Sequence, residues 1–140
     1  NIIALLDMVS LGTICDVVPL IGINRLLVQK GLEVFSKNSN TGLAALIEKA
    51  NISHKISTYD LGFKLGPRIN AGGRLGKSKH GTELLTSEDG LEARKIATEL
   101  DNFNKERQTI EAHILKSAIE SLTTEQLEKK NNICLRPGLA

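Results

Sequence analysis

Gly66-Pro67-Arg68-Ile69-Asn70-Ala71-Gly72-Gly73-Arg74-Leu75-Gly76 is the stretch on which the reading of this chain turns. Four glycines, a proline, an asparagine and two arginines fall within it. Glycine lets backbone amides approach a ligand with no side chain in the way, and the planar fork of arginine matches a phosphate or carboxylate. The stretch therefore reads as an anion-holding loop opened by Gly66, Gly72, Gly73 and Gly76. Arg74 is the first candidate for phosphate, because its glycine neighbours leave its surroundings open. Arg68 and Asn70 are the others, Arg68 equally fitting a structural tie to an acid on the preceding helix. The local charge agrees: no acid stands between Asp60 and Glu83, whereas Lys64, Arg68, Arg74, Lys77 and Lys79 are basic. Read from these residues alone, a solvated connection whose glycines supply positive φ angles is an equal alternative.

Composition narrows the choices. At 140 residues the chain holds one domain with a modest core, not two full ones. With no Trp, one Tyr and three Phe, the core must be aliphatic, and a base-stacking platform of exposed rings is not indicated. The net charge of +2 is too small for a general nucleic-acid binder. Cys15 and Cys134 are far apart and in no metal-ligand spacing, which leaves a reduced, cytoplasmic location as the default. The apolar opening is interrupted at Asp7 long before it could span a bilayer, so no membrane is expected. The chain opens on Asn rather than Met and is read as a piece of something longer.

Apolar spacing predicts mostly helices. Ile2, Leu5, Leu6 and Val9 predict a buried helix over 2–11, ended or loosened by Gly12-Thr13. Asp16 falls at a turn between apolar neighbours, and short strands fit only near Val17-Val18 or the tail. A carboxylate there needs a partner, which could be a backbone amide, Arg25 or a metal ion. Further helices are expected over 24–36, after a cap at Asn40 or Thr41, after a capping box at Ser57-Thr58-Tyr59-Asp60, and over 81–85. His54 reads as a solvated loop histidine. From Thr86-Ser87-Glu88-Asp89 onward, Ile96, Leu100, Phe103, Ile110 and Ile114 predict one helix running to about Ser121, long enough to pack on a partner or bridge two domains.

The glycine stretch, together with Leu11-Gly12-Thr13-Ile14-Cys15-Asp16-Val17-Val18-Pro19-Leu20, resembles the corresponding segments of RecJ-type single-stranded-DNA-specific exonucleases, members of the DHH phosphoesterase superfamily. The resemblance implies an α/β parent fold of which this piece is predominantly α-helical, with a long C-terminal connecting helix. Residues 1–85 would be the C-terminal part of the metal-binding domain, 86–122 the connecting helix, and 123–140 the start of the associated second domain or a tail. Asp16 matches an acidic ligand of the catalytic metals, Mn2+ or Mg2+ in a two-metal site; Asp7 does not match one. The implied activity is 5′-to-3′ hydrolysis of single-stranded DNA in repair and recombination. The Asp-His-His triplet that names the superfamily is not in this chain, so the piece is expected to be inactive or nearly so alone. Two other readings stand beside it: a non-catalytic helical module that docks on a separate chain carrying the missing motifs, and a different DHH phosphoesterase acting on short oligonucleotides.

Overall fold

The computed structural model of the chain describes residues 2–37, 40–74 and 79–121, with the backbone alone at Arg74. Among the described residues there is no strand, including at Val17-Val18. A 3-10 turn (Ile2–Leu5) leads into α1 (Leu6–Cys15), followed by α2 (Gly22–Phe35), α3 (Thr41–Lys49) and α4 (Thr58–Asp60). A π-helical turn (Leu61–Leu65) then joins α4 to α5 (Gly66–Arg74), and α6 (Lys79–Thr86) and α7 (Gly90–Glu120) complete the order. None of these helices is long and apolar enough to cross a membrane.

Two compact units divide the chain, residues 1–104 and residues 105–140. The first holds an aliphatic core in which Leu46, Leu61, Leu65, Leu84 and Leu100 are fully buried, joined by Phe35 and, on α7, by Ala93, Ile96 and Ala97. In the second unit, described to Ser121, the helix continues with Ile110, Ile114, Leu115 and Ile119 exposed. The long helix expected from the sequence is therefore present, about 46 Å of it at 1.5 Å per residue over 31 residues. The tail from 123 to 140, where a strand or the start of a second domain is expected, lies outside the described residues.

Helix α1 departs from its expected form twice. It runs through Gly12-Thr13 to Cys15, and its inward face is Asp7, Ser10 and Leu11, while Ile2, Leu5 and Val9 are exposed. The reason lies in α2. A methyl group on Gly31 would sit 2.2 Å from the Leu6 carbonyl oxygen and 2.5 Å from Ser10 Oγ, so the two backbones approach more closely than side chains of ordinary size permit. Small Ser10 fits that approach, and its hydroxyl donates to the Asp7 carbonyl oxygen at 2.8 Å. Apolar spacing locates the helix but not the face it buries.

Helix α4 starts as its sequence requires. Ser57 Oγ accepts from the Asp60 amide and the Asp60 carboxylate accepts from the Ser57 amide at 3.0 Å, closing the capping box. Asp60 is 1% exposed and is also met by Lys64 Nζ at 2.8 Å and His54 Nε2 at 3.0 Å. His54 is thus tied to the helix start rather than free in a loop. Burial alone would raise the Asp60 pKa, but the contacts from Lys64, Ser57 and His54 outweigh it and hold the carboxyl well below the usual carboxylate range. A folded-state pKa below the unfolded value contributes stability that is present above about pH 4 and is lost as pH falls towards the folded value. Asp60→Asn is therefore expected to cost about 3 kcal/mol at neutral pH. Urea unfolding of both proteins from pH 7 downward should show that difference shrinking below about pH 4; a difference independent of pH would contradict the assignment.

Candidate active-site face

The expected loop is a helix. Residues 58–74 form one uninterrupted helical run, and Gly66 to Arg74 are its last segment rather than an open connection. Pro67 lacks an amide and would clash with the carbonyl four residues back in a regular helix. The π turn immediately before it widens the ladder: the Gly66 amide donates to Leu61 O, five residues back. The helix continues through a proline and several glycines because that extra residue has already been accommodated.

The glycines serve packing as well. A methyl on Gly66 would lie 2.5 Å from Cys15 Sγ and 3.0 Å from the Leu61 carbonyl oxygen, and one on Gly62 would lie 3.3 Å from Ile14 Cγ2. The Cys15 thiol points its S–H at Leu61 O, 3.8 Å away. The end of α1 thus crosses the helix at 61–66. Burial, and then the Asp16 charge, push the Cys15 pKa up, so the thiol is a neutral packing group and not a reactive one. Gly72 is buried as well, Gly73 is exposed, and Gly76 lies outside the described residues.

Asp16 is the residue that this crossing presents. It is the C-cap of α1, and the helix closes behind it with Val17 N donating to Ile14 O at 3.1 Å and Val18 N to Thr13 O at 3.1 Å. That pattern normally places glycine at the left-handed position. Here Val17 holds it, at φ 55°, which costs a β-branched residue on the order of 1–3 kcal/mol. The Asp16 side chain is exposed and has no hydrogen bond or ion pair among the described residues, with Arg25 or otherwise. A carboxylate at the negative end of a helix is disfavoured, and a cation bound there is favoured. The donor type and its position therefore suit a divalent cation, although no group of three or more metal-ligating side chains occurs among the described residues.

The other candidates separate. Arg68 is committed inward: its Nε donates to Asp101 Oδ1 on α7 at 2.9 Å and its Nη1 to the Lys64 carbonyl oxygen at 2.8 Å. Both side chains of that pair are largely buried, at 17% and 3% exposure. The acid that it ties is on α7, not on the preceding helix. Asn70 is exposed and makes no hydrogen bond among the described residues. Arg74 is the last residue of α5, two turns beyond Gly66, and its side chain lies outside the described residues. A groove of about 510 Å³ elsewhere, lined by Thr41, Glu48, Asp89 and Arg94 among others, has its Arg94 paired with Glu48 at 3.4 Å and shares no residue with this face.

No family model matches the chain. The single-stranded-DNA-specific exonuclease RecJ of Escherichia coli K12 is 43% identical over 143 residues, covering 100% of this chain and 24% of the relative. That of Bacillus subtilis 168 is 36% identical over 135 residues, covering 96% and 17%. Among solved structures, RecJ from Thermus thermophilus in complex with Mn2+ superposes with a TM-score of 0.80 at 35% identity, over 88% of this chain and 19% of that one. The chain is thus similar to part of the RecJ-type exonucleases, along its whole length in sequence and over 88% of it in fold. It spans about a quarter of the length of the curated relatives it matches, or less.

The packing role of Gly66 can be checked with no nuclease assay. Gly66→Ala is expected to destabilise the chain by about 2 kcal/mol. Adding Cys15→Ala should recover part of that loss but not all, because Leu61 O remains 3.0 Å from the new methyl. Additive losses in urea unfolding of the double variant would show that the two residues do not meet.

Proposed function

We propose that this chain is the part of a single-stranded-DNA-specific 5′-to-3′ exonuclease that supplies one catalytic-metal ligand and the helix that holds the substrate backbone. The observation that supports the reading is the crossing of α1 with helix 58–74, which seats Cys15, the residue before the exposed Asp16, against Gly66 at the start of α5. Asp16 contributes a hard oxygen donor of the kind Mg2+ and Mn2+ take. When bound, such ions lower the pKa of a water and neutralise charge building on the phosphoryl oxygens. Arg74 and Asn70 hold substrate phosphate from α5, and Arg68 keeps that helix seated on α7 through Asp101.

In this reading residues 1–85 are the C-terminal part of the metal-binding domain, 86–122 connect it onward, and 123–140 are the start of the associated domain or a tail. The remaining metal ligands come from outside this stretch, which is why it is inactive or nearly so alone. The exposed aliphatic residues before and on α1, Ile2, Leu5 and Val9, and those at the start of α2, Ile21 and Ile23, are where the rest of the polypeptide, or a separate chain carrying the Asp-His-His motif, would dock. The parent enzyme would act in the cytoplasm, in DNA repair and recombination.

In the complete polypeptide, Asp16→Asn is expected to remove manganese-dependent hydrolysis of a single-stranded oligonucleotide while leaving binding within about threefold. Arg74→Ala should weaken binding and reduce the slope of log affinity against log salt by about one. Unaltered turnover in the first variant would refute the ligand role, and unchanged affinity and slope in the second would refute the phosphate role.

A further inference from the structure

Tyr59 and Phe63 lie one helical turn apart and stack on each other, ring centroids 4.8 Å apart and planes 25° from parallel. They remain 61% and 70% exposed. In a chain with only four aromatic residues, leaving two of them together in solvent is not a by-product of an aromatic-rich surface. Composition speaks against a stacking platform because rings are scarce. The fold assembles the scarce rings into one.

Their position ties them to the proposed site. Positions 59, 63, 67, 70 and 74 of the continuous helix 58–74 are spaced 4, 4, 3 and 4 apart, one stripe of a helix that carries one extra residue in its π turn. Tyr59, Phe63 and Asn70 are exposed along it, and Arg74 takes the next place in the register. Gly62, beside Phe63, is at the crossing with α1 that presents Asp16. The stripe is about 22 Å long from 59 to 74, enough for several nucleotides of an extended strand. It lies in a stretch with no acid between Asp60 and Glu83, and Asp60 itself is neutralised by Lys64.

We propose that Tyr59 and Phe63 form a base-stacking platform for single-stranded nucleic acid, flat faces receiving bases while the C-terminal part of the same helix holds the phosphates. This rests on the exonuclease reading above and adds to it where the bases go. The chemistry separates these rings from exposed aliphatic residues such as Ile2, Leu5, Val9 and Ile23: branched aliphatic side chains interdigitate with protein, whereas prestacked rings on a helix stripe that continues to Asn70 suit nucleobases of any sequence. Prior stacking of the two rings also leaves little side-chain freedom to be lost on binding.

The test uses the complete polypeptide without divalent metal and two probes, a fluorescein-labelled oligothymidylate and the same oligomer with abasic residues in place of its nucleotides near the 5′ end. Wild-type protein is expected to bind the abasic oligomer about tenfold more weakly. Tyr59→Leu with Phe63→Leu should lower affinity for the intact oligomer to the abasic level and abolish the difference between probes. Both replaced rings are exposed, so the thermal transition should be unchanged. In a Phe63→Trp protein, the indole fluorescence should be quenched when oligothymidylate binds. A leucine pair that discriminates between probes as wild type does overturns the platform and leaves the exonuclease reading intact. An indole that is shielded from acrylamide before any oligonucleotide is added shows this face covered by protein, which overturns the platform as well. Absence of all single-strand binding by the wild-type protein overturns both.

Discussion

A single close crossing organises this structure. Helix 58–74 can lie against the end of α1 only because Gly66 offers no side chain where Cys15 Sγ already sits, and because Gly62 leaves room for Ile14. The π turn is part of the same arrangement: it routes the Gly66 amide to Leu61 O, the carbonyl that the Cys15 thiol also approaches, and lets the helix pass through Pro67. Everything assigned to function is placed by this contact. Asp16 follows Cys15 directly, and Asn70 and Arg74 follow Gly66 at one and two turns along α5.

Two buried carboxylates fix what the crossing leaves free. Asp60 locks the start of the helix through Ser57, His54 and Lys64, and Asp101 holds its middle to α7 through Arg68. Buried ion pairs contribute little net stability relative to apolar contacts, but losing one partner costs several kcal/mol, so they discriminate strongly against alternative placements of the helix. Two of the basic residues that make the stretch look like an anion site, Lys64 and Arg68, are committed to this task. The cations left for a ligand are fewer than the sequence count implies.

Much of the fold is legible because its signals are local. The Asn40 cap, whose side chain accepts from the Leu43 amide at 2.8 Å, the Ser57-Asp60 capping box and the apolar spacing of α7 need only neighbouring residues to act. What the sequence hides depends on partners distant in the chain. Gly66 reads as an open-loop glycine, and nothing marks Gly31 as a packing residue, until α1 is seen against them; small Ser10 stands on the buried face of α1 beside Leu11 because Gly31 brings α2 so near. Asp16 is identified through its motif, and its place at the helix end follows from Pro19; that no described residue pairs with it is a fact of three-dimensional packing. The exposed pairing of Tyr59 and Phe63 is visible as an i, i+4 spacing, but the small total number of rings points the other way.

A cation bound at Asp16 should sit beside the start of α5, and on that proximity the proposed chemistry depends. Paramagnetic broadening by substoichiometric Mn2+ in an amide NMR spectrum measures it directly, since the effect falls steeply with distance. The amides of residues 14–18 and 61–66 should broaden first, those of residues 68–70 next, and all of them should stay sharp in an Asp16→Asn chain. Broadening centred instead on Glu48, Asp89 and Glu92, with residues 61–70 unaffected, would contradict it.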